Sequence, residues 1–139
     1  MKLTDKKYED DSSAEEIQLL KNQVSLIADD IICFEEIPTQ TPFSVNTCFD
    51  EIERLVEESG ASYLLIDLIN ANRPDAVARK VLNQRFARLE DSIKHTAYCT
   101  GKNVLINTAI RFVMFGTGLT SYTVSTLRKD ALLEIENVK

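Results

Sequence analysis

Short runs of β-forming apolar residues recur along this chain, and they predict the strands of a sheet. Residues 24–37, VSLIADDIICFEEI, contain two such runs around Asp29-Asp30, which predicts a β-hairpin. Apolar runs at 62–68, 93–99 and 121–125 predict three more strands. The run at 62–68 is continuous rather than alternating, as in a parallel strand that is buried on both faces.

Helices are predicted between and after these strands, where apolar residues recur at spacings of three and four. The predicted helices cover about 45–59, 74–89, 103–114 and 126–135. Gly60 offers a left-handed stop, Pro74-Asp75 suits a first helical turn, and Thr126 suits a cap. In the helix at 74–89 the predicted buried stripe is Val77, Val81, Leu82, Phe86 and Leu89.

The order of these elements predicts an α/β fold. We expect a mixed, mainly parallel sheet of four to five strands, which opens with the β-hairpin and is covered by about four helices. Residues 1–12 are charged and polar and are predicted to be a flexible leader, followed by a single domain over 13–139. Ser13 to Glu16 has the capping-box spacing, which predicts a short helix there.

Composition narrows the class of protein. The 139 residues are 44% apolar and 27% charged, as in an ordinary globular domain. The net charge of −6 argues against a general nucleic-acid binder, because phosphate contacts need clustered cations. The sequence has no apolar run of 18 residues and no secretion-signal core near its start, so we expect a cytoplasmic protein that does not span a membrane.

The cysteines and the single histidine form no recognisable metal or disulfide pattern. Cys33, Cys48 and Cys99 are odd in number, widely separated and without a CxxC pair. We expect three small buried thiols and no cofactor.

Polar residues gather where the strand at 62–68 ends, and this is the first candidate site. Asp67, Asn70, Asn72, Arg73 and Asp75 lie within nine residues, at a strand end and a helix start. Exposed amides at such a place can bind an anion or a polar group of a partner. The alternative is structural, with Asp75 as a helix N-terminal carboxylate and the asparagines as turn residues.

Three further candidates stand alone. His95 is either a pH switch or base, or a structural histidine. Asn103, beside Lys102, either helps to hold a phosphate or simply caps a helix. Phe112, followed by Met114-Phe115 and Gly-Thr-Gly, either belongs to a hinged flap over an apolar pocket or is core.

In the order of its elements the chain resembles the SpoIIAA-like group, which contains the STAS (anti-anti-sigma) domains. The resemblance covers about residues 22–138 and rests on LLIDL at 64–68, IRFVMFGTGLTSYTVSTLRKDALLEI at 110–135 and the pair Ala131-Leu132. Regulatory STAS domains carry a phosphorylated serine in an Asp-Ser-Ser-Gly sequence after that strand. Here Asp75 is followed by Ala76, Val77 and Ala78, so the phosphoacceptor serine is absent.

The resemblance implies binding rather than chemistry. Residues 94–101 are similar to the stand-alone SpoIIAA-like branch, whose fold is similar to CRAL-TRIO lipid-carrier domains. The first hypothesis is a non-enzymatic, regulatory STAS-like module that binds a protein partner or itself through the 69–75 loop, the 74–89 helix and the helix near 103. The second is a carrier of a small apolar ligand or lipid in a pocket beneath 112–119. An enzyme is not expected, because no nucleophile, base and orienting group occur together.

Overall fold

The computed structural model describes residues 6–103 and 105–139, which form five helices and five strands. In chain order these are α1 (Ala14–Lys21), β1 (Val24–Ala28), β2 (Ile31–Glu35), α2 (Pro42–Ser59), β3 (Tyr63–Asp67), α3 (Ala76–Ala87), β4 (His95–Cys99), α4 (Leu105–Met114), β5 (Tyr122–Ser125) and α5 (Arg128–Val138).

The five strands form one mixed sheet in the order β1-β2-β3-β4-β5. Strands β1 and β2 pair antiparallel around the turn at Asp29-Asp30, and every other neighbouring pair is parallel. Across the three central strands Ile32 stands beside Leu64, and Leu64 beside Thr96. The predicted α/β class, the opening hairpin and the mainly parallel sheet are confirmed.

The strand order explains how the helices are distributed over the sheet. From β2 to β5 each strand lies beside the previous one, and one helix connects each pair. Because crossovers of this kind share one hand, successive connections in one direction place α2, α3 and α4 on the same face. Phe49, Phe86 and Ile110 of these helices share one core cluster. The opposite face of the sheet is covered by α5.

Side chains alternate between these two faces along each strand. On the face covered by α1–α4, here called the four-helix face, β2 contributes Ile32 and Phe34 to the core. The other face, here called the α5 face, has a smaller core. Its members are Ile31, Cys33, Tyr63, Leu65, Ala97, Cys99, Ala131 and Ile135. The buried thiols predicted for all three cysteines are confirmed.

Several local predictions are confirmed by the geometry of the helix ends. The Ser13 hydroxyl accepts a hydrogen bond from Glu16 N–H at 3.2 Å, and the Glu16 carboxylate accepts one from Ser13 N–H at 3.0 Å, so the capping box is present. Gly60 ends α2 at φ 72°. This is a left-handed conformation that side chains with a Cβ rarely adopt.

Two predictions about helices are wrong. Val77 was expected in the buried stripe of α3 but is 62% exposed, because Ala78 occupies the inward position instead. Thr126 was expected to cap α5, but the N-cap is Leu127, which has no side-chain cap hydrogen bond. In both cases the pattern is displaced by one residue, and on a helix one residue turns a side chain by about 100°.

The N-terminal segment differs from the predicted flexible leader. Residues 1–5 lie outside the described residues. Within residues 6–12, Tyr8 is 4% exposed and belongs to the core of the four-helix face. The Thr41 hydroxyl donates a hydrogen bond to the Tyr8 carbonyl. One aromatic ring that can be buried is enough to hold this charged stretch against the domain.

The longest described helix is α2, with 18 residues, and it carries several charges on its outer side. Within residues 6–103 and 105–139, no helix combines the length and the apolar character needed to cross a membrane.

Candidate functional site

An apolar cleft lies at the carboxyl ends of β2, β3 and β4, between the four-helix face of the sheet and helices α3 and α4. Its empty volume is about 440 Å³, with the solvent at its open mouth included. The surface inside it is apolar. It is lined by Phe34, Glu36, Gln40, Ile66, Leu68, Ala71, Asn72, Pro74, Leu82, Phe86, Tyr98, Ile106, Ala109, Ile110 and Val113.

The cleft has an aromatic floor that is part of a longer row of rings. Phe34, Phe86 and Tyr98 line the cleft. The Phe49 ring makes edge-to-face contacts with both Phe34 and Phe86. The ring centroids of Phe49 and Phe86 are 4.9 Å apart at an interplanar angle of 81°, and those of Phe86 and Tyr98 are 6.3 Å apart. Edge-to-face contacts of this kind stabilise ring positions, so the floor is pre-formed.

Small side chains explain why space remains above this floor. Ala71 in the loop after β3 and Ala109 on the inner side of α4 each contribute one methyl group to the wall. Ala109 is 4% exposed, although its neighbours on the same helix face, Ile106 and Ile110, carry larger side chains. A larger residue at either position would fill part of the cleft.

Glu36 is the one acidic residue of the cleft wall. It directly follows β2, its backbone N–H bonds the Asp67 carbonyl at 2.9 Å, and the residue is 7% exposed. Its carboxyl Oε1 accepts a hydrogen bond from Ile37 N–H at 3.0 Å. Burial raises the pKa of Glu36 to about 8, because removal from water penalises the charged form. At neutral pH this carboxyl group is therefore mostly protonated.

Gln40 lies beside Glu36 on the same wall and is 6% exposed. Its amide Nε2 donates a hydrogen bond to the Ile37 carbonyl at 3.0 Å. Its Oε1 is buried and has no hydrogen-bond partner. The opposite orientation of the Gln40 amide, with Oε1 and Nε2 exchanged, is unfavourable because it would place Oε1 against the Ile37 carbonyl oxygen. A buried acceptor without a partner in the protein is uncommon.

A second polar cluster lies at the same edge of the sheet but on the α5 face. Arg128 at the start of α5 donates to Glu35 at 2.7 Å and to Asp67 at 2.6 Å. Asp67 also accepts a hydrogen bond from Ile69 N–H at 3.0 Å. All three charged groups therefore have partners, and the cluster joins α5 to the ends of β2 and β3.

The two thiols beside this cluster are unreactive by environment. Burial raises the pKa of Cys33 to about 11 and that of Cys99 to about 12. Thiolate is the nucleophilic form of cysteine, so both side chains act as small apolar groups at neutral pH.

The structure brings together only part of the predicted site around the end of β3. Asp67 is bound by Arg128, and Asp75 caps α3 by accepting a hydrogen bond from Ala78 N–H at 2.8 Å. Asn70 and Arg73 are exposed in the connecting loop. Of the polar residues predicted here, Asn72 lines the cleft, together with Leu68, Ala71 and Pro74 of the same segment.

His95 lies at the opposite end of the sheet from the other candidates, because it is the first residue of β4. Its Nδ1 is 2.7 Å from the Ser121 hydroxyl and its Nε2 is 3.0 Å from the Thr123 hydroxyl. Burial lowers the pKa of His95, so the ring is neutral at pH 7. Both ring nitrogens are used within the protein, which favours the structural interpretation.

Asn103 and Phe112 do not line the cleft. Asn103 is exposed ahead of α4, and its backbone carbonyl accepts from Ile106 N–H at 3.4 Å. Phe112 is 59% exposed on the outer side of α4, where the Arg79 guanidinium lies 5.4 Å from its ring centroid. Val113 is the residue of the 112–119 segment that lines the observed cleft, and the pocket expected beneath that segment stays a prediction.

Glu36 and Gln40 were missed by the sequence analysis. A signal for Glu36 exists, because Ile32, Phe34 and Glu36 alternate, and this places a carboxylate at the third inward position of the strand pattern. No local pattern marks Gln40, which lies in a loop.

No family model matches the sequence, and no curated protein matches it at a significant level. The resemblance to STAS domains therefore stays a prediction.

Proposed function

We propose that this protein binds a small, largely apolar molecule in the cleft between the sheet and helices α3 and α4. The observation that carries the proposal is the cleft itself, with its aromatic floor and the polar residues Glu36, Gln40 and Asn72 in its wall. Ligand sites in proteins commonly have this composition, in which apolar walls supply affinity and a few polar groups fix orientation.

The size of the cleft limits the ligand. About 440 Å³ includes solvent at the mouth, so the enclosed part is smaller than this figure. The enclosed part is too small for a long acyl chain, so we propose a small ligand, such as a single ring, that lies partly in the open mouth.

Two loops form the mouth of the cleft and are joined to each other. Glu36 and Gln40 come from the loop after β2, whereas Leu68, Ala71 and Asn72 come from the loop after β3. The Asn72 N–H donates to the Pro38 carbonyl at 2.9 Å and connects the two loops.

Titration with toluene tests the proposal, because toluene is small, apolar and uncharged. We expect saturable binding to the wild-type protein, measured by calorimetry, and loss of that binding in Ala109→Leu, which fills the cleft. Ala76→Leu makes the same chemical change at an exposed position of α3 and should bind as the wild type does. Equal binding by wild type and Ala109→Leu, or no binding by either, would contradict the proposal.

A second candidate function is contact with a protein partner or with a second copy, as the STAS resemblance implies. It is favoured by the outer side of α4, where Leu105, Phe112 and Phe115 are 68%, 59% and 84% exposed. Between Asp91 and Asp130 the sequence contains no acidic residue, so this face is also poor in negative charge.

Light scattering at increasing protein concentration tests the self-association form of this candidate. Phe112→Ser combined with Phe115→Ser should shift an oligomer toward the monomer. Leu133→Ser removes a similarly exposed apolar residue from α5 and should leave the mass unchanged. A wild-type protein that remains monomeric throughout would reject self-association through this face.

A further inference from the structure

We propose that the ligand of the cleft carries an amine head, which binds as an ammonium group to the Glu36 carboxylate and to Gln40 Oε1. This inference rests on the proposed function and adds the chemical class of the ligand.

The first argument concerns the polar side-chain atoms of Glu36 and Gln40, which lie in the wall of the cleft, behind the apolar surface that the cleft exposes. Gln40 Oε1 is a buried acceptor without a partner, whereas Gln40 Nε2 is already bound to the Ile37 carbonyl. An ionised Glu36 also offers acceptors only. Two neighbouring residues with acceptor capacity fit a head group that is rich in donors, and an ammonium group supplies three.

The second argument is the lack of a cation at Glu36, in contrast to other acids of the domain. Glu35 and Asp67 pair with Arg128, and Glu53 pairs with both Arg85 and Arg88. Among the described residues, the carboxyl group of Glu36 has Ile37 N–H as its hydrogen-bond donor and no arginine or lysine partner. A positively charged ligand would supply the missing partner.

The third argument concerns charge inside an apolar site. A buried carboxylate is stable only when it is paired, and in the empty cleft Glu36 holds a proton instead, with a pKa of about 8. Among the described residues, the titratable group that interacts with it is the Cys48 thiol of α2. Burial raises the pKa of this thiol, so it stays neutral. Binding of an ammonium group should therefore release the proton of Glu36.

Three probes that share one ring separate the head group from the apolar body: benzylamine, benzyl alcohol and benzoate. At about pH 7 we expect benzylamine to bind at least about tenfold more tightly than benzyl alcohol, as is typical of hydrogen bonds to charged groups. Benzoate should bind weakest, because its carboxylate would leave water for an apolar cleft that offers it no cation, and Gln40 Oε1 is an acceptor that cannot pair with it.

Glu36→Gln is the decisive variant, because it keeps the shape of the side chain and removes its charge. We expect it to lower benzylamine affinity about tenfold and to leave benzyl alcohol affinity within about threefold. Glu35→Gln makes the same change one residue earlier, on the α5 face, and should leave both affinities unchanged. Thermal unfolding of both variants checks that they are folded.

Calorimetry of benzylamine in two buffers of different ionisation enthalpy gives an independent reading. The proposal predicts release of about one proton for each benzylamine bound at about pH 7, and no release in Glu36→Gln. Binding of benzyl alcohol with no preference for benzylamine and no proton release would overturn the amine assignment and leave the apolar site intact. No binding of any of the three probes would overturn the proposed function as well.

Discussion

The two faces of the sheet differ in how completely their buried polar groups are paired. On the α5 face, His95 lies between the hydroxyl groups of Ser121 and Thr123, and Asp67 is held by Arg128. Within the described residues, the buried side-chain atoms without a partner are Gln40 Oε1, Arg85 Nε and Thr96 Oγ1. All three belong to the four-helix face. That face also contains the apolar cleft, and its incomplete pairing is the reason why we propose it as the binding face.

The same difference appears in the energetics of the acids. Glu35 and Glu36 are consecutive in sequence and point to opposite faces of the sheet. Glu35 is 54% exposed at its side chain and pairs with Arg128, whereas Glu36 is buried without a cation. A protein that needed only stability would not keep an unpaired carboxyl group in its core, because an apolar side chain of similar size packs there at lower cost.

We expect the largest loss of stability when a buried side chain is truncated in the core of the α5 face. Ile135 on the inner side of α5 is fully buried, and Ile135→Ala should lower the free energy of unfolding by about 4 kcal/mol because it leaves a cavity. Leu133→Ala on the same helix, at a position 58% exposed, should cost less than about 0.5 kcal/mol. Urea denaturation measures both values. A loss below about 1 kcal/mol for Ile135→Ala would show that α5 is not needed to hold this face.

The next largest effect is the pH dependence that Glu36 gives to the free energy of unfolding. Its pKa in the folded protein, about 8, lies above the value of an exposed glutamate, so the folded state binds the proton more tightly. The contribution of this bound proton to the free energy of unfolding is fully present at low pH. It is lost as the pH rises toward 8, at about 1 kcal/mol per pH unit. Urea denaturation of wild type and Glu36→Gln between about pH 5 and pH 8 isolates this contribution. Parallel curves for the two proteins would contradict the account.

The smallest effect is expected from the ion pairs that join α5 to the sheet. Arg128 is 38% exposed at its side chain, so solvent screens its contacts with Glu35 and Asp67. Arg128→Ala should lower the free energy of unfolding by about 1 kcal/mol or less, and less still in about 1 M salt. Lys129→Ala changes the exposed neighbour and serves as the control. A salt-independent loss above about 2 kcal/mol would mean that the cluster behaves as a buried network.

Much of the fold could be predicted because its signals are local. The turn at Asp29-Asp30, the capping box at Ser13 and the left-handed Gly60 each depend on a few adjacent residues. The alternation of strands and helices then determines the parallel sheet, because crossovers of one hand leave few arrangements.

The site could not be predicted in the same way, because it depends on distances between elements that are far apart in sequence. The cleft exists where α3 and α4 are held away from the sheet and small residues such as Ala71 and Ala109 face the gap. Phe112 illustrates the opposite error. Its size suggested a pocket or core position, but the inward positions of α4 are taken by Ile106, Ala109, Ile110 and Val113, so the ring points outward.

A methyl NMR titration with toluene tests the central claim most directly, because isoleucine methyl groups report on both faces in one experiment. Ile66, Ile106 and Ile110 line the cleft, whereas Ile31 and Ile135 lie in the core of the α5 face. We expect saturable shift changes at Ile66, Ile106 and Ile110 and none at Ile31 and Ile135. Shift changes centred on Ile31 and Ile135, or no saturable change at the cleft, would contradict it.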